Sequence, residues 1–359
     1  MTDSSHKRIG ILTSGGDCPG LNAAIRAVIS HATLTYAWEV VGIPYATQGL
    51  LDRQTVPLTV HGLDLRGLDP LLNMGGTILG SINHGDTLAR ADEIIASYRS
   101  LQLDALIVIG GDGSLKIVDR LAEIGNWQLI AIPKTIDNDV ALTERAIGFD
   151  TAVNTVTDAL NRLAFTAASH DRVMVVETMG RQAGHLALQA GIAGGADIIL
   201  IPEIDYSIRE ICQHINELHD RWKRKFALVM VAEGIHPAKD PISCDGQSRS
   251  PTPGHGMGQY ITDQILNCNN RLVEVRASVL GHIQRGGIPT ALDRLIAAAF
   301  GKVAVDLIAL GQSRQMVAWQ NGGVAVVALE NVLARSPVAV DPQSYLVATA
   351  RALGIYVGS

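Results

Sequence analysis

PKTIDND, at 133–139, places Lys134, Thr135, Asp137, Asn138 and Asp139 directly behind the apolar run WQLIAI (127–132). A carboxylate beside a phosphate can act as general base toward a hydroxyl, and a lysine there can add charge on the transferring group. Asp and Asn also close Asx-type turns. Such a turn accounts for Asp137 or Asn138 singly, but not for a lysine, a threonine and two carboxylates together. SGGDCPG (14–20) and GGDGS (110–114) are glycine-rich turns between an apolar run and a helical pattern. Glycines let backbone N–H groups approach a phosphate, and the following helix N-terminus adds a favourable dipole. The first turn contains neither GxxxxGK[ST] nor GxGxxG, so a Walker A loop and a dinucleotide site are unsupported. Backbone freedom in a tight turn would also explain it. Asp112, inside the second turn, is placed either to hold Mg²⁺ against phosphate oxygens or to cap the next helix.

Two further loops carry cations. TMGRQAGH (178–185) and LGHIQRGG (280–287) follow apolar runs and supply Arg181, His282 and Arg285; Arg172 and Arg276 lie in the runs themselves. Any one arginine is ordinarily a surface ion pair, but four of them with His282 near strand ends suit an anion pocket. Glu233, ending FALVMVAEG (226–234), suits a bidentate acceptor for sugar hydroxyls, or a first-turn helix charge.

These loops need elements to hold them. RIGILT (8–13), DALIVI (104–109), WQLIAI (127–132), RVMVVE (172–177), DIILI (197–201), FALVMVAEG (226–234), RASVLGH (276–282) and VAVVAL (324–329) are strand-sized apolar runs. Strand, polar loop and helix in alternation predict an α/β fold of two doubly wound domains with mainly parallel sheets. Ligands in such folds bind beyond the carboxyl ends of strands. HPAKDPISCDGQSRSPTPGHG (236–256) breaks the pattern and reads as a long surface loop.

The chain has 359 residues, enough for two domains. Hydrophobic residues make up 47% and aromatics 4%, which suits strands buried on both faces. A net charge of −6 argues against nucleic acid or an acidic membrane surface as partner. The four cysteines (Cys18, Cys212, Cys244, Cys268) form no CxxC and read as free thiols of a reducing compartment. MTDSSHKR lacks an apolar stretch, so no signal peptide is expected, and no run reaches a membrane span. A soluble cytoplasmic protein is the expectation.

Together, TSGGDCPGLNAAIR, GGDGS, PKTIDND, MGR, AEG and GHIQRGG, in this order from residue 8 to about residue 300, resemble the 6-phosphofructokinases of the common bacterial type. The resemblance implies transfer of a phosphoryl group to the 1-hydroxyl of fructose 6-phosphate, with the active site between two domains. It implies that Gly15, Gly16, Asn83, Gly111, Asp112, Gly113 and Ser114 hold the donor and that Asp112 holds Mg²⁺. Asp137 would be the base, with Thr135, Asp139, Lys134 and Arg181 at the reacting centre. Met179, Gly180, Arg181, Glu233, His282 and Arg285, with Thr135 and Asp137, would bind fructose 6-phosphate. Arg172 and Arg276 would reach the sugar phosphate from a neighbouring subunit of a homo-oligomer, as in a tetramer. The donor-binding domain would comprise 1–148 plus about 283–335, and the sugar-phosphate domain 149–282 plus about 336–359.

Two positions bear on the donor. ATP users in the family resemble this chain in carrying glycine after the metal aspartate, here Gly113; pyrophosphate users carry aspartate there. Pyrophosphate users carry lysine before the threonine, as Lys134 does here. A wrong charge excludes more strongly than one extra cation attracts, so ATP is expected, with pyrophosphate the alternative. Asn83 stands where familiar ATP enzymes place a donor-bridging arginine, and HGDTLARAD behind it is shorter than the family's adenine loop. Of the family's basic effector positions, Arg26 and Arg224 match, whereas Ser30, Ala164, Trp222 and Phe226 do not. Activation by ADP through such a site is expected to be lost or replaced.

Overall fold

In the computed structural model, β4 (Ala105–Gly110), ALIVIG, is buried at every residue. It lies inside a parallel sheet covered on both faces, which is why its sequence is a continuous apolar run. The structure describes residues 6–62, 69–81, 87–241, 256–268 and 273–358. Asn83, Cys244 and most of the 236–256 loop lie outside them.

The chain divides into two units, Met1–Thr151 with Arg285–Val338, and Ala152–Gln284 with Ala339–Ser359. In the first, β1 (Arg8–Ser14), α1 (Leu21–Tyr36), β2 (Glu39–Gly42), α2 (Thr47–Leu51), β3 (Val56–Leu58) and α3 (Ala91–Ser100) precede β4. Then follow α4 (Asp112–Gly125) and β5 (Gln128–Pro133). α5 (Phe149–Ser169) leads into the second unit, with β6 (Arg172–Thr178), α6 (His185–Ala193), β7 (Ile198–Leu200), α7 (Ile208–Trp222), β8 (Ala227–Ala232), α8 (Met257–Cys268) and β9 (Glu274–Val279). The chain then returns to the first unit with α9 (Ala291–Ala309), β10 (Gln315–Gln320), β11 (Gly323–Ala328) and α10 (Leu329–Leu333). The last helix, α11 (Tyr345–Ala352), belongs to the second unit.

The first sheet has the order β11-β10-β5-β4-β1-β2-β3. Its pairings are parallel except β2 with β3 and β10 with β11. After β1 the chain winds outward through β2 and β3, then returns to the other side of β1 as β4. The crevice beyond β1 and β4 is therefore a topological switch point, where doubly wound sheets bind ligands. Register brings the loops level: Ser14 pairs with Gly110, and Gly110 with Pro133. The second sheet, β7-β8-β6-β9, is all parallel. There Thr178 pairs with Ala232, and Glu177 with Val279, so the loops after these strands also begin at one level.

α4 buries Leu115, Val118, Leu121 and Ala122, the spacing of a single helical stripe. Among the described residues no helix is long and apolar enough to cross a membrane.

Candidate active site

In the first unit, three strand-end loops meet at Lys134. The β1 loop turns at Gly15, whose φ of +82° is the left-handed region that glycine tolerates. A Cβ there would stand 2.9 Å from Ser114 Oγ and 3.2 Å from Lys134 Nζ, so the turn, the α4 N-terminus and the lysine are packed together. Lys134 is buried, and its ammonium donates to the Gly16 carbonyl. Its backbone N–H donates to Gly110 O at 3.1 Å, continuing the β4–β5 ladder.

The carboxylates follow at once. Thr135, Asp137 and Asp139 are all buried. Thr135 Oγ1 donates to Asp139 Oδ1 at 3.2 Å and accepts from the Asp137 N–H at 3.0 Å. One hydroxyl therefore fixes both acids. Asn138 takes a left-handed φ of 51° and ties itself to the next turn: its Oδ1 accepts from Ala146 N at 3.0 Å and its Nδ2 donates to Glu144 O at 3.1 Å. The local i,i+2 turn is thus closed by the Thr135 hydroxyl, while Asn138 ties the loop to the 144–146 turn.

GGDGS forms the start of α4. Gly111 is the N-cap, with no side-chain cap, and Asp112 opens the helix. A Cβ on Gly113 would meet nothing within 4 Å, and one on Gly111 only Lys134 O at 3.5 Å. Packing within the protein does not demand these glycines. They leave room beside uncapped helix N–H groups, the condition for close approach by a phosphate. Among the described residues no three His, Cys, Asp or Glu side chains group to hold a metal. A lone Asp112 suits Mg²⁺, which is commonly held by one or two carboxylates together with substrate phosphates.

Arg285, expected with the sugar phosphate, lies in the first unit against the glycine loop. Its Nη1 donates to Asp17 O at 3.2 Å, and a Cβ on Gly16 would come within 2.6 Å of that nitrogen. Cys18, in the same loop, is no nucleophile: burial pushes its thiol up to about 12, and it donates to Ile147 O at 3.3 Å.

In the second unit, the loop after β6 is held by acceptors from other strand ends. Gly180 has φ +143°, and a Cβ there would lie 2.7 Å from Ala183 O. Glu233 Oε1 accepts from the N–H groups of Gly180 (3.2 Å) and Arg181 (2.8 Å). The Met179 N–H donates to Gln284 Oε1 at 3.2 Å, and Gln284 Nε2 donates to Gly281 O at 2.9 Å. Arg181 and His282 are exposed. At the other end of β6, Arg172 and Arg276 both pair with Glu274.

Four further positions matter that the loop chemistry alone does not single out. Gln284 is fully buried and pins the Met179 loop across 105 residues. Asp293, at the start of α9, is fully buried and accepts from Gly148 N, Thr151 N and Thr151 Oγ1. It thereby holds the turn whose Ile147 carbonyl accepts from Thr135 N at 3.1 Å. Glu177 is buried beneath α8, and Glu274 bridges the two arginines. Gln284 lies inside GHIQRGG, and Asp293 stands three residues after Thr290, a capping-box spacing, but their partners at Met179, Gly148 and Thr151 are set only by the folded chain.

The phosphofructokinase family profile matches residues 8–308. A Nostoc protein, ATP-dependent 6-phosphofructokinase 2, is 69% identical over 352 residues, 98% of this chain and 99% of its own length. Among solved structures, phosphofructokinase from Saccharomyces cerevisiae is similar with a TM-score of 0.74 at 28% identity, over 91% of this chain and 45% of that much longer one. Pyrophosphate-dependent phosphofructokinase from Nitrosospira multiformis has a TM-score of 0.81 over 99% of this chain and 93% of its own; at 18% identity it bears on the fold alone.

Proposed function

This chain belongs to the phosphofructokinase family, and we propose that it transfers the terminal phosphoryl group of ATP to the 1-hydroxyl of fructose 6-phosphate. The products are fructose 1,6-bisphosphate and ADP. The observation that carries the reading is the open space at Gly113, beside a loop that buries Lys134, Thr135, Asp137 and Asp139 together. Aspartate at Gly113 would put a second carboxylate where a nucleotide's phosphates pass; glycine admits them. The named activity of the 69%-identical relative supports the same donor.

In this reading the first unit binds the donor. Gly15, Gly16, Gly111, Gly113 and Ser114 line the phosphates, and Arg285 supports the β1 loop from its Asp17 carbonyl. Asp112 is the protein's ligand to Mg²⁺, which when bound neutralises charge on the donor phosphates. Asp137 takes the proton of the sugar hydroxyl as the new bond forms. Thr135 orders the Asp137 backbone and, through its own hydroxyl, Asp139. Lys134 supplies positive charge beside the donor loop. Such positioning and charge stabilisation are most of what phosphoryl transfer asks of a protein.

The second unit binds fructose 6-phosphate. Met179, Gly180 and Arg181 present the β6 loop, with Glu233 and His282 beside it. Arg172 and Arg276 serve the sugar phosphate from a neighbouring copy in a homo-oligomer. β9, which carries Arg276, is the edge strand of its sheet, and it exposes Val279 at 59%, a side chain suited to cover by another copy.

The test is turnover with fructose 6-phosphate and Mg²⁺, with ATP and pyrophosphate in parallel. The expected result is turnover with ATP; turnover with pyrophosphate alone overturns the donor assignment. Asp137→Asn keeps the shape and removes the base. It is expected to lower kcat by about 10²–10⁴ with little change in half-saturation, and near-normal turnover overturns the role given to Asp137.

A further inference from the structure

β6 and β9 run parallel with Arg172 opposite Glu274 and Met174 opposite Arg276. Glu274 and Arg276, two residues apart on one strand, share a face of the sheet. Glu274 Oε2 accepts from Arg172 Nε at 2.7 Å, and its Oε1 pairs with Arg276 Nη2. One carboxylate therefore occupies two guanidiniums at once. Hydrogen bonding from Arg172 is the largest cause holding its acid below the ordinary carboxylate range; desolvation opposes it, and the Arg172 and Arg276 charges with a hydrogen bond from Arg276 add to it. The three side chains remain accessible, at 27% for Arg172, 37% for Glu274 and 62% for Arg276.

Two guanidiniums converging on one planar, bidentate anion is also how arginines hold a phosphate. We propose that Glu274 is the resident anion of this arginine pair, displaced by the sugar phosphate, so that it sets both the affinity and the selectivity of the site. The inference rests on the reading that Arg172 and Arg276 bind the sugar phosphate. A phosphate dianion can outbid a single carboxylate for the two cations. A neutral sugar cannot, and a monoanion competes only on equal terms. Glu274 thus sets a threshold of charge that a ligand must exceed, discrimination by repulsion as well as attraction. It acts through the arginines, and is a positioning residue in that sense.

Glu274→Gln keeps the shape and removes the competing charge. Exposed pairs of this kind are weak, so half-saturation by fructose 6-phosphate is expected to fall about 1.4- to fivefold. The gain should sit in half-saturation rather than kcat, and shrink as salt is added. Inorganic phosphate, as a competitor, should inhibit the variant more tightly by a similar factor. A tighter half-saturation is not what structural damage produces. Glu274→Ala removes the acceptor altogether and should move the same way if the glutamine variant folds poorly. Unchanged or weaker fructose 6-phosphate binding in these variants overturns the inference. Arg276→Gln separates that failure from failure of the premise: if it leaves half-saturation unchanged, the arginine pair does not bind the phosphate.

Discussion

Lys134 is the residue whose role the surrounding chemistry constrains most. It is 3% exposed, and its ammonium lies on the Gly16 carbonyl, beside Ser114. A buried ammonium is retained only where it is paired or hydrogen-bonded, and here it is hydrogen-bonded to the loop expected to carry the donor. We therefore expect it to supply the charge that other ATP enzymes of the family draw from an arginine at the position of Asn83. Lys134→Met keeps most of the volume and removes the cation. It should lower kcat with ATP by about 10²-fold, the scale of losing one preorganised charge or donor at a phosphoryl centre. Lys134→Gly should lose at least as much. Steady-state kinetics checks both, and near-normal turnover in either variant refutes the idea. At this scale the sequence was informative wherever chemistry crowded a single loop: PKTIDND shows its charge in seven consecutive letters. It was silent where a role depends on a distant partner. GHIQRGG places Arg285 with the sugar phosphate; that its guanidinium also reaches the Asp17 carbonyl is something no local spacing discloses.

At the scale of elements, α8 starts on a buried acid. Glu177 Oε2 accepts from Gly258 N at 2.6 Å, and a Cβ on Gly256 would come within 2.3 Å of the same oxygen. Burial pushes this carboxyl above its ordinary range and the Glu233 charge adds to that, while the α8 amide opposes. A carboxyl raised in the folded state binds its proton more readily folded than unfolded. Its contribution to stability is therefore complete below the unfolded value and is lost as pH rises through the folded one. Glu177→Gln keeps an acceptor for Gly258 and carries no charge. It should melt above the parent at pH 8, with the difference narrowing as pH falls into the acid range, where the parent's carboxyl regains its proton. Thermal unfolding across that range checks it; a lower melting temperature for the variant at every pH is the contrary result. The strands themselves were legible for a simple reason. β1, β4, β5, β6 and β8 are buried on both faces and so spell continuous apolar runs. β2 and β3 are short, at four and three residues, and β3 holds a proline. β10 mixes Gln, Met and Trp, and pairs antiparallel with β11 at the sheet edge. RASVLGH predicts strand to 282, but β9 ends at Val279 and Gly281, with φ +54°, opens a 3-10 helix that presents His282.

At the scale of the whole molecule, the two-unit α/β plan followed from alternating strands and helices, but the return of the chain to the first unit at Arg285 left no mark in composition. The same scale bears on regulation, since the family's effector chemistry depends on basic residues drawn from distant parts of the chain. Only Arg26 and Arg224 match that pattern, and each is already committed inside its own unit. Arg26 pairs with Asp69. Arg224 makes a two-pronged pair with Asp197, at 2.6 and 2.8 Å, and its guanidinium lies 4.1 Å from the Phe226 ring centre. Asp197 is itself buried, so stripping its partner would leave an uncompensated charge, a change costing about 3–5 kcal/mol when the pair is fully buried and less here, where Arg224 is 30% exposed. A nucleoside diphosphate would have to break these pairs with no further cation from Ser30, Ala164, Trp222 or Phe226 to offset the loss. Trp222 is instead 66% exposed, an apolar surface that offers a phosphate nothing. ADP is therefore expected not to activate. Saturation curves for fructose 6-phosphate, taken with and without ADP at fixed ATP and Mg²⁺, should show no leftward shift of the midpoint and only the inhibition that a product exerts at the donor site. A severalfold leftward shift would mean that the Arg26 and Arg224 pairs open for the effector, and that the missing cations are not needed.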